Sequence, residues 1–240
     1  MTIRLAAWSG PRNLSTAMLR SWEHRPDTVV LDEPLYAAAL AATGDDHPMR
    51  DEVLAAGPTD VGAALDRCLA PLPDGVTVSY QKHMAHHLLP EFPRGWLDEL
   101  RHLLLIRDPR RVLASYTKVW ADVDLAAIGL PQQLELLDRA ELVVDSADFL
   151  TDPRRYLAAM CEAFGIAFDD RIAEAMTTWP AGRRDSDGAW APAWYSAVEA
   201  STGFGPAPSE EPVELPATLE PVAAEASEIY AELRARRLTL

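Results

Sequence analysis

The sequence predicts an α/β protein whose central, mostly parallel sheet is flanked by helices. Two observations carry that expectation. Short apolar runs of strand length alternate with stretches of helical period, and several of those stretches open on a proline or a capping residue. At 240 residues, 48% of them hydrophobic, the chain is also long enough to bury a sizeable core.

Residues 3–8 read as the first strand and 9–13 as a loop. Leu14, Met18, Leu19 and Trp22 then recur at helical spacing. Residues 28–31 form a second short strand, broken by Asp32-Glu33-Pro34 before a helix over 35–41. The third strand is expected over 76–80, and the fourth over 102–106, where almost no polar residue occurs. Pro109 falls where a helix takes its first residue, and Val112, Leu113 and Tyr116 continue that helix. A fifth strand over 142–144 precedes Asp152-Pro153, which starts a helix running through Phe164 and ended by Gly165. Residues 43–58 are polar and punctuated by glycine and proline, and read as a mobile loop or lid. Pro206, Pro208, Pro212, Pro216 and Pro221 mark an extended segment over 206–221, ahead of a last helix over 221–236. With no internal repeat and no composition break, residues 1–240 are expected to form a single domain.

Twenty-two basic residues stand against 37 acidic ones, a formal net charge of −15. That balance argues against a general nucleic-acid or anionic-membrane surface and disfavours a polyanionic polysaccharide. Cys68 and Cys161 are too few for a disulfide framework and lack metal-ligand spacing. The amino terminus has no long apolar stretch, and no run of about 18 apolar residues occurs, so a soluble cytoplasmic protein is expected.

The loop after the first strand leads straight into a helix, a position that aims backbone N–H groups and the positive end of the helix dipole at an anion. Ser15 and Thr16 add hydroxyl donors, and Arg12 adds a charge able to grip two oxygens. The loop lacks the Gly-Lys-Ser/Thr ending of a Walker A motif. A second feature follows the fourth strand, where Arg107 and Ser115 stand eight residues apart across an Asp108-Pro109 turn. A strand-end guanidinium and a hydroxyl on the next helix can converge there on one phosphate.

The segment 103–116 resembles the 3′-phosphate signature of the PAPS-dependent sulfotransferases, PAPS being 3′-phosphoadenosine 5′-phosphosulfate. With Arg107 and Ser115 in those places, Gly10, Pro11, Arg12, Asn13, Leu14, Ser15 and Thr16 look like the family's 5′-phosphosulfate loop. Asn13 and Leu14 depart from its serine and glycine, as in a divergent bacterial branch. Residues 80–84 and 88–90 are similar to the Lys-Thr-His-Leu-Pro stretch of the cytosolic branch. His83 falls on the catalytic base there, while Gln81 stands where lysine is expected, with Lys82 beside it. Arg183, Arg184, Gly188 and Trp190 match the loop that closes over the nucleotide.

The resemblance implies a three-layer P-loop NTPase-like fold and sulfuryl transfer from PAPS to a hydroxyl or amine of a small-molecule acceptor, with adenosine 3′,5′-bisphosphate as the product. It implies no metal, and His86 and His87 read as helix-face or loop residues. Arg12 would neutralise the leaving phosphate. Two residues compete for the base: His83, and Glu33, which looks like the acidic base of the Golgi and bacterial carbohydrate branch. The clean strand-end placement of Glu33 favours it, with His83 orienting the acceptor or the sulfuryl group. Two other readings stand beside this one. A P-loop kinase of a small metabolite is weakened by the missing loop lysine; a non-catalytic nucleotide- or partner-binding module is kept open by Leu14. Oligomeric state and acceptor identity have no signature in the sequence.

Overall fold

The computed structural model describes residues 2–118, 123–209 and 211–240; residue 210 of the expected extended segment lies outside them. Five strands form one sheet: β1 (Ile3–Ser9), β2 (Thr28–Asp32), β3 (Val78–Met84), β4 (Arg101–Ile106) and β5 (Leu142–Asp145). Their order is β2-β3-β1-β4-β5, and every pairing is parallel. All carboxyl ends therefore lie along one edge. At that edge β1 is flanked by β3 and β4, the switch point where parallel sheets bind ligands.

Alternation along the strands builds two cores. Leu5, Ala7, Val78, Tyr80, Leu103 and Leu105 face one layer, against α1 (Ser15–Glu23), α8 (Pro153–Ala163) and α9 (Asp170–Thr177). Ala6, Trp8, Leu104 and Ile106 face the other, against α4 (Val61–Leu69), α5 (Pro109–Tyr116), α6 (Leu130–Glu135) and α12 (Glu220–Ala235). This is the three-layer, P-loop NTPase-like arrangement implied by the sequence.

Caps explain several boundaries. Asp108 accepts from the Arg110 N–H ahead of Pro109, and Asp152 accepts from the Arg155 N–H ahead of Pro153. Gly44, with φ 73, closes α2 (Tyr36–Thr43).

One expectation needs correction, and two helices were not foreseen. The segment 43–58 is not all loop, because it contains α3 (Arg50–Ala56). Asp51 and Glu52 in its first turn favour the helix dipole, and Val53 is buried against Tyr36, Ala37 and Leu40. Helices α4 and α9 had no counterpart in the sequence reading. Each is capped by an aspartate, Asp60 or Asp169, and each buries only a short face, Ala64, Leu65 and Cys68 in α4 and Ala173 and Met176 in α9. Three single-turn helices complete the set: α7 (Ser146–Phe149), α10 (Ala191–Trp194) and α11 (Ser196–Glu199). A 3₁₀ turn, Ala85–His87, follows β3 directly. Among the described residues no helix is long and apolar enough to cross a membrane.

Candidate active site

A cleft of about 370 Å³ opens at the carboxyl edge of the sheet. On the β1–β4 side, Pro11, Arg12, Asn13, Leu14, Ser15 and Thr16 line it together with Arg107 and Ser115. The Asn13 side chain donates to the Leu105 carbonyl at 2.8 Å and accepts from the Leu14 N–H at 2.7 Å, which ties the loop to β4. Leu14 packs against the core that contains Met18 and Leu19 while bordering the cleft. No side chain caps α1, so its first turn meets the cleft with its N–H groups available. Gly10 is not on the cleft wall. A Cβ there would lie 2.2 Å from the Ile128 carbonyl oxygen, so close packing of residue 128 requires this glycine.

Arg12 and Arg107 interlock. Arg107 donates to the Arg12 carbonyl, and Arg12 Nε donates to Ser115 Oγ at 3.0 Å. Burial, together with the neighbouring Arg111 and Arg12 charges, pushes the Arg107 guanidinium below its ordinary pKa. Arg110 is turned away toward Glu220 and the Val213 carbonyl, and Arg111 donates to the Ser209 and Glu211 carbonyls. The carboxyl-terminal segment thus engages these two arginines, while Arg12 and Arg107 face the cleft.

The β2–β3 side carries the opposite charge. Lys82 Nζ donates to Asp32 Oδ1 at 2.9 Å, to Tyr195 OH at 2.6 Å and to Glu33 Oε1. Tyr195 OH also lies 2.8 Å from Asp32 Oδ2 and 3.2 Å from Glu33 Oε1, and it accepts from Trp190 Nε1 at 2.9 Å. All four groups are buried. Burial raises the Glu33 carboxyl above the ordinary range, opposed by the Lys82 charge and reinforced by Asp32. Burial acts against the charged form of Lys82, but the two carboxylates outweigh it and hold its pKa above the ordinary value.

His83 is adjacent to Lys82 and points the other way. Its ring stacks on Trp8 at 4.3 Å, Nε2 lies 3.2 Å from Gln81 Oε1, and burial holds its pKa down to about 3. It does not line the cleft. The structure therefore brings Glu33 to the site with Arg12 and leaves His83 in the core.

The loop over 183–190 packs behind the charged cluster. Gly188 N–H donates to Asp32 Oδ2 at 3.2 Å, and buried Arg20 holds Asp187 at 2.6 Å. Gly188 has no room for a Cβ, which would meet the Trp190 ring at 2.1 Å. Arg183 and Arg184 bond backbone carbonyls of Gly188 and Pro180 and do not line the cleft, and Trp190 supports Tyr195 from behind.

Several cleft residues had no role in the predicted site, namely Lys82, Tyr36, His47 and Tyr116. Trp194 and Tyr195, read from the sequence as aromatics that either stack on a purine or serve packing, line it too. Tyr36 stacks on His87 at 4.3 Å and hydrogen-bonds His47, which itself stacks on Trp194 at 5.2 Å. One signal was visible for Lys82, as one of only two lysines in the chain and the basic neighbour of His83. Among the described residues no group of three or more His, Cys, Asp and Glu is arranged to hold a metal.

A family model described as a sulfotransferase domain matches residues 3–236. Two Arabidopsis thaliana proteins, branched-chain-amino-acid aminotransferase-like proteins 2 and 1, are 33% and 35% identical to the chain. Those matches cover 88% and 82% of this chain but only 37% and 36% of the relatives, so it spans little more than a third of their length. Among solved structures, the sulfotransferase domain of the Synechococcus PCC 7002 olefin synthase superposes with a TM-score of 0.58 at 20% identity, covering 96% of this chain and 94% of that one. The sulfotransferase domain from the curacin biosynthetic pathway also gives 0.58, at 13% identity and 98% coverage of both chains. At these identities the structural likeness shows the fold.

Proposed function

The chain belongs to the sulfotransferase domain family, and we propose that it transfers a sulfuryl group from PAPS to a hydroxyl or amine of a small acceptor. The observation that carries this reading is the gathering of Arg12, Arg107, Ser115 and the uncapped start of α1 on a cleft that Glu33 also lines. These donors fit a nucleotide with an anionic group at both its 3′ and 5′ positions. The Arg12 charge helps to lower the Arg107 pKa, and the phosphates of a bound nucleotide would offset that repulsion.

PAPS supplies the sulfuryl group, and the bond from sulfur to its 5′-phosphate oxygen breaks as the acceptor's bond to sulfur forms, the electron pair leaving with adenosine 3′,5′-bisphosphate. Arg12 and the α1 amides stabilise charge on the leaving phosphate oxygen. Arg107 and Ser115 take the 3′-phosphate. Glu33 receives the acceptor proton at Oε2, since Oε1 is engaged by Lys82 and Tyr195. Its burial-raised basicity suits that task better than an exposed carboxylate would. Lys82 and Tyr195 fix the orientation of the base. The Leu14 side chain packs on the core beside the loop, and no side chain caps the start of α1.

The test combines binding and turnover. Adenosine 3′,5′-bisphosphate at 100 times its Kd should add about 2.7 kcal/mol to the unfolding free energy without metal, and more than ADP or ATP at equal concentration. Radiolabelled PAPS should then label a member of an acceptor panel. A folded sample indifferent to millimolar bisphosphate overturns the reading.

A further inference from the structure

The acceptor side of the cleft carries a charge imbalance that nothing in the sulfuryl-transfer step requires. Asp32 and Glu33 are two buried carboxylates sharing one ammonium, Lys82, whose three protons are already directed to Asp32, Glu33 and Tyr195. The full cations among the described residues lining the cleft are Arg12, Arg107 and Lys82, and the two arginines belong to the β1–β4 side. Glu33 Oε2 faces His87 Nδ1 at 3.9 Å, beyond hydrogen-bond distance. His86 Nδ1 and His87 Nδ1 are both buried with no hydrogen-bond partner, and both residues line the cleft. Around them stand the rings of Tyr36, Tyr116 and Trp194.

Resting on the proposed transfer, we infer that the acceptor carries a protonated amine beside its nucleophilic hydroxyl, held by the His86 and His87 ring nitrogens and the aromatic wall within the negative field of Glu33, whose Oε2 takes the hydroxyl proton. An ammonium supplies the second positive charge that the paired carboxylates lack. Its N–H groups can donate to imidazole nitrogens otherwise left unsatisfied. The electron-rich faces of tyrosine and tryptophan attract the same cation. Burial holds the His86 pKa down to about 3 and that of His87 well below its ordinary value, so both rings are neutral acceptors at neutral pH. A carboxylate or phosphate on the acceptor would instead meet Asp32 and Glu33 with no uncommitted cation to offset them.

Three phenols that differ chiefly in charge test the inference: 4-(aminomethyl)phenol, 4-ethylphenol and 4-hydroxyphenylacetate. With adenosine 3′,5′-bisphosphate saturating, calorimetry should show the ammonium compound binding at least tenfold more tightly than the neutral one. The carboxylate should give no measurable heat. Glu33→Gln should bring the first two within about threefold of each other. Equal affinities in the wild-type protein, tighter binding of the carboxylate, or no binding of the ammonium compound overturns the inference. So does a preference that Glu33→Gln leaves unchanged. Titrating the bisphosphate separately keeps the two ideas apart: its failure to bind overturns the transferase reading, while the phenol series without nucleotide still reads the charge preference.

Discussion

Arg12 and Glu33 share a backbone conformation that non-glycine residues seldom adopt, with φ 54 at the first and φ 42 at the second. Each lies just beyond the carboxyl end of its strand, where the chain turns away from the sheet and the side chain is delivered to the cleft. Neighbours hold both in place. Arg107 grips the Arg12 carbonyl, and the Glu33 N–H donates to the Lys82 carbonyl at 2.8 Å. Strain of about 1–3 kcal/mol per residue is ordinary at sites whose geometry matters more than their stability.

Replacing Glu33 by Gln should lower turnover by about 10²–10⁴-fold and leave bisphosphate affinity nearly unchanged. In the wild-type protein, turnover should fall on acidification as Glu33 takes up a proton, with the midpoint above the ordinary carboxylate range because its pKa is raised. Steady-state kinetics against pH, with bisphosphate titrations alongside, would check both statements. An unchanged acid limb in Glu33→Gln would remove Glu33 from the base position.

Arg107→Ala should cost about 1.5–3 kcal/mol of binding to adenosine 3′,5′-bisphosphate, roughly ten- to a hundredfold in affinity. Adenosine 5′-phosphate, which lacks the 3′-phosphate, should lose far less. Equal losses would mean that Arg107 acts chiefly by holding the Arg12 carbonyl.

His83→Phe should retain near-normal turnover, because the ring stacks on Trp8 and lies off the cleft wall. Its effect belongs to stability against pH. The folded protein keeps His83 neutral down to about 3, whereas the unfolded chain protonates it below its ordinary 6.5. Stability is therefore present above 6.5 and is lost as pH falls toward 3, at up to about 1.4 kcal/mol per pH unit for this one group. Denaturant unfolding from pH 7 to 4 should show a shallower fall in His83→Phe. A hundredfold loss of turnover in a folded variant would return the base assignment to His83.

Gly10→Ala should destabilise the fold by about 1–3 kcal/mol, since the added methyl meets backbone rather than a movable side chain. Chemical denaturation would measure it. A neutral result would show that the segment at Ile128 can yield.

The five strands were legible because apolar residues alternate or run unbroken between clear turns, and the loop from Arg12 to Thr16 with Arg107 and Ser115 was singled out by its strand-to-helix position together with the family resemblance. What misled was the end of β3. Read as stopping at Tyr80, it left the orientation of Gln81, Lys82 and His83 undefined; it runs to Met84, so alternate residues face opposite layers. Gln81 and His83 share the core face and contact each other, while Lys82 takes the face that meets the carboxylates. The short α3 was hidden by its flanking glycines and prolines, and its single anchor, Val53, gives too little period to detect. Tyr195 could not be joined to Asp32 from sequence, because 163 positions separate them.

The central position of β1 also bears on how the chain is made. Its partners are β3, in register from Ile3 against Val78, and β4, from Leu5 against Arg101. The strand at the middle of the sheet is thus synthesised before either neighbour, and 68 residues separate Ser9 at its end from Val78 at the start of β3. At about 5–20 residues per second, roughly 3–14 seconds pass between completing β1 and beginning β3. During that interval an apolar strand has both hydrogen-bonding edges open, the condition under which nascent chains engage chaperones or pair wrongly. The arrangement that sets the cleft at the sheet's switch point therefore leaves β1 without a sheet partner until β3 and β4 have been made.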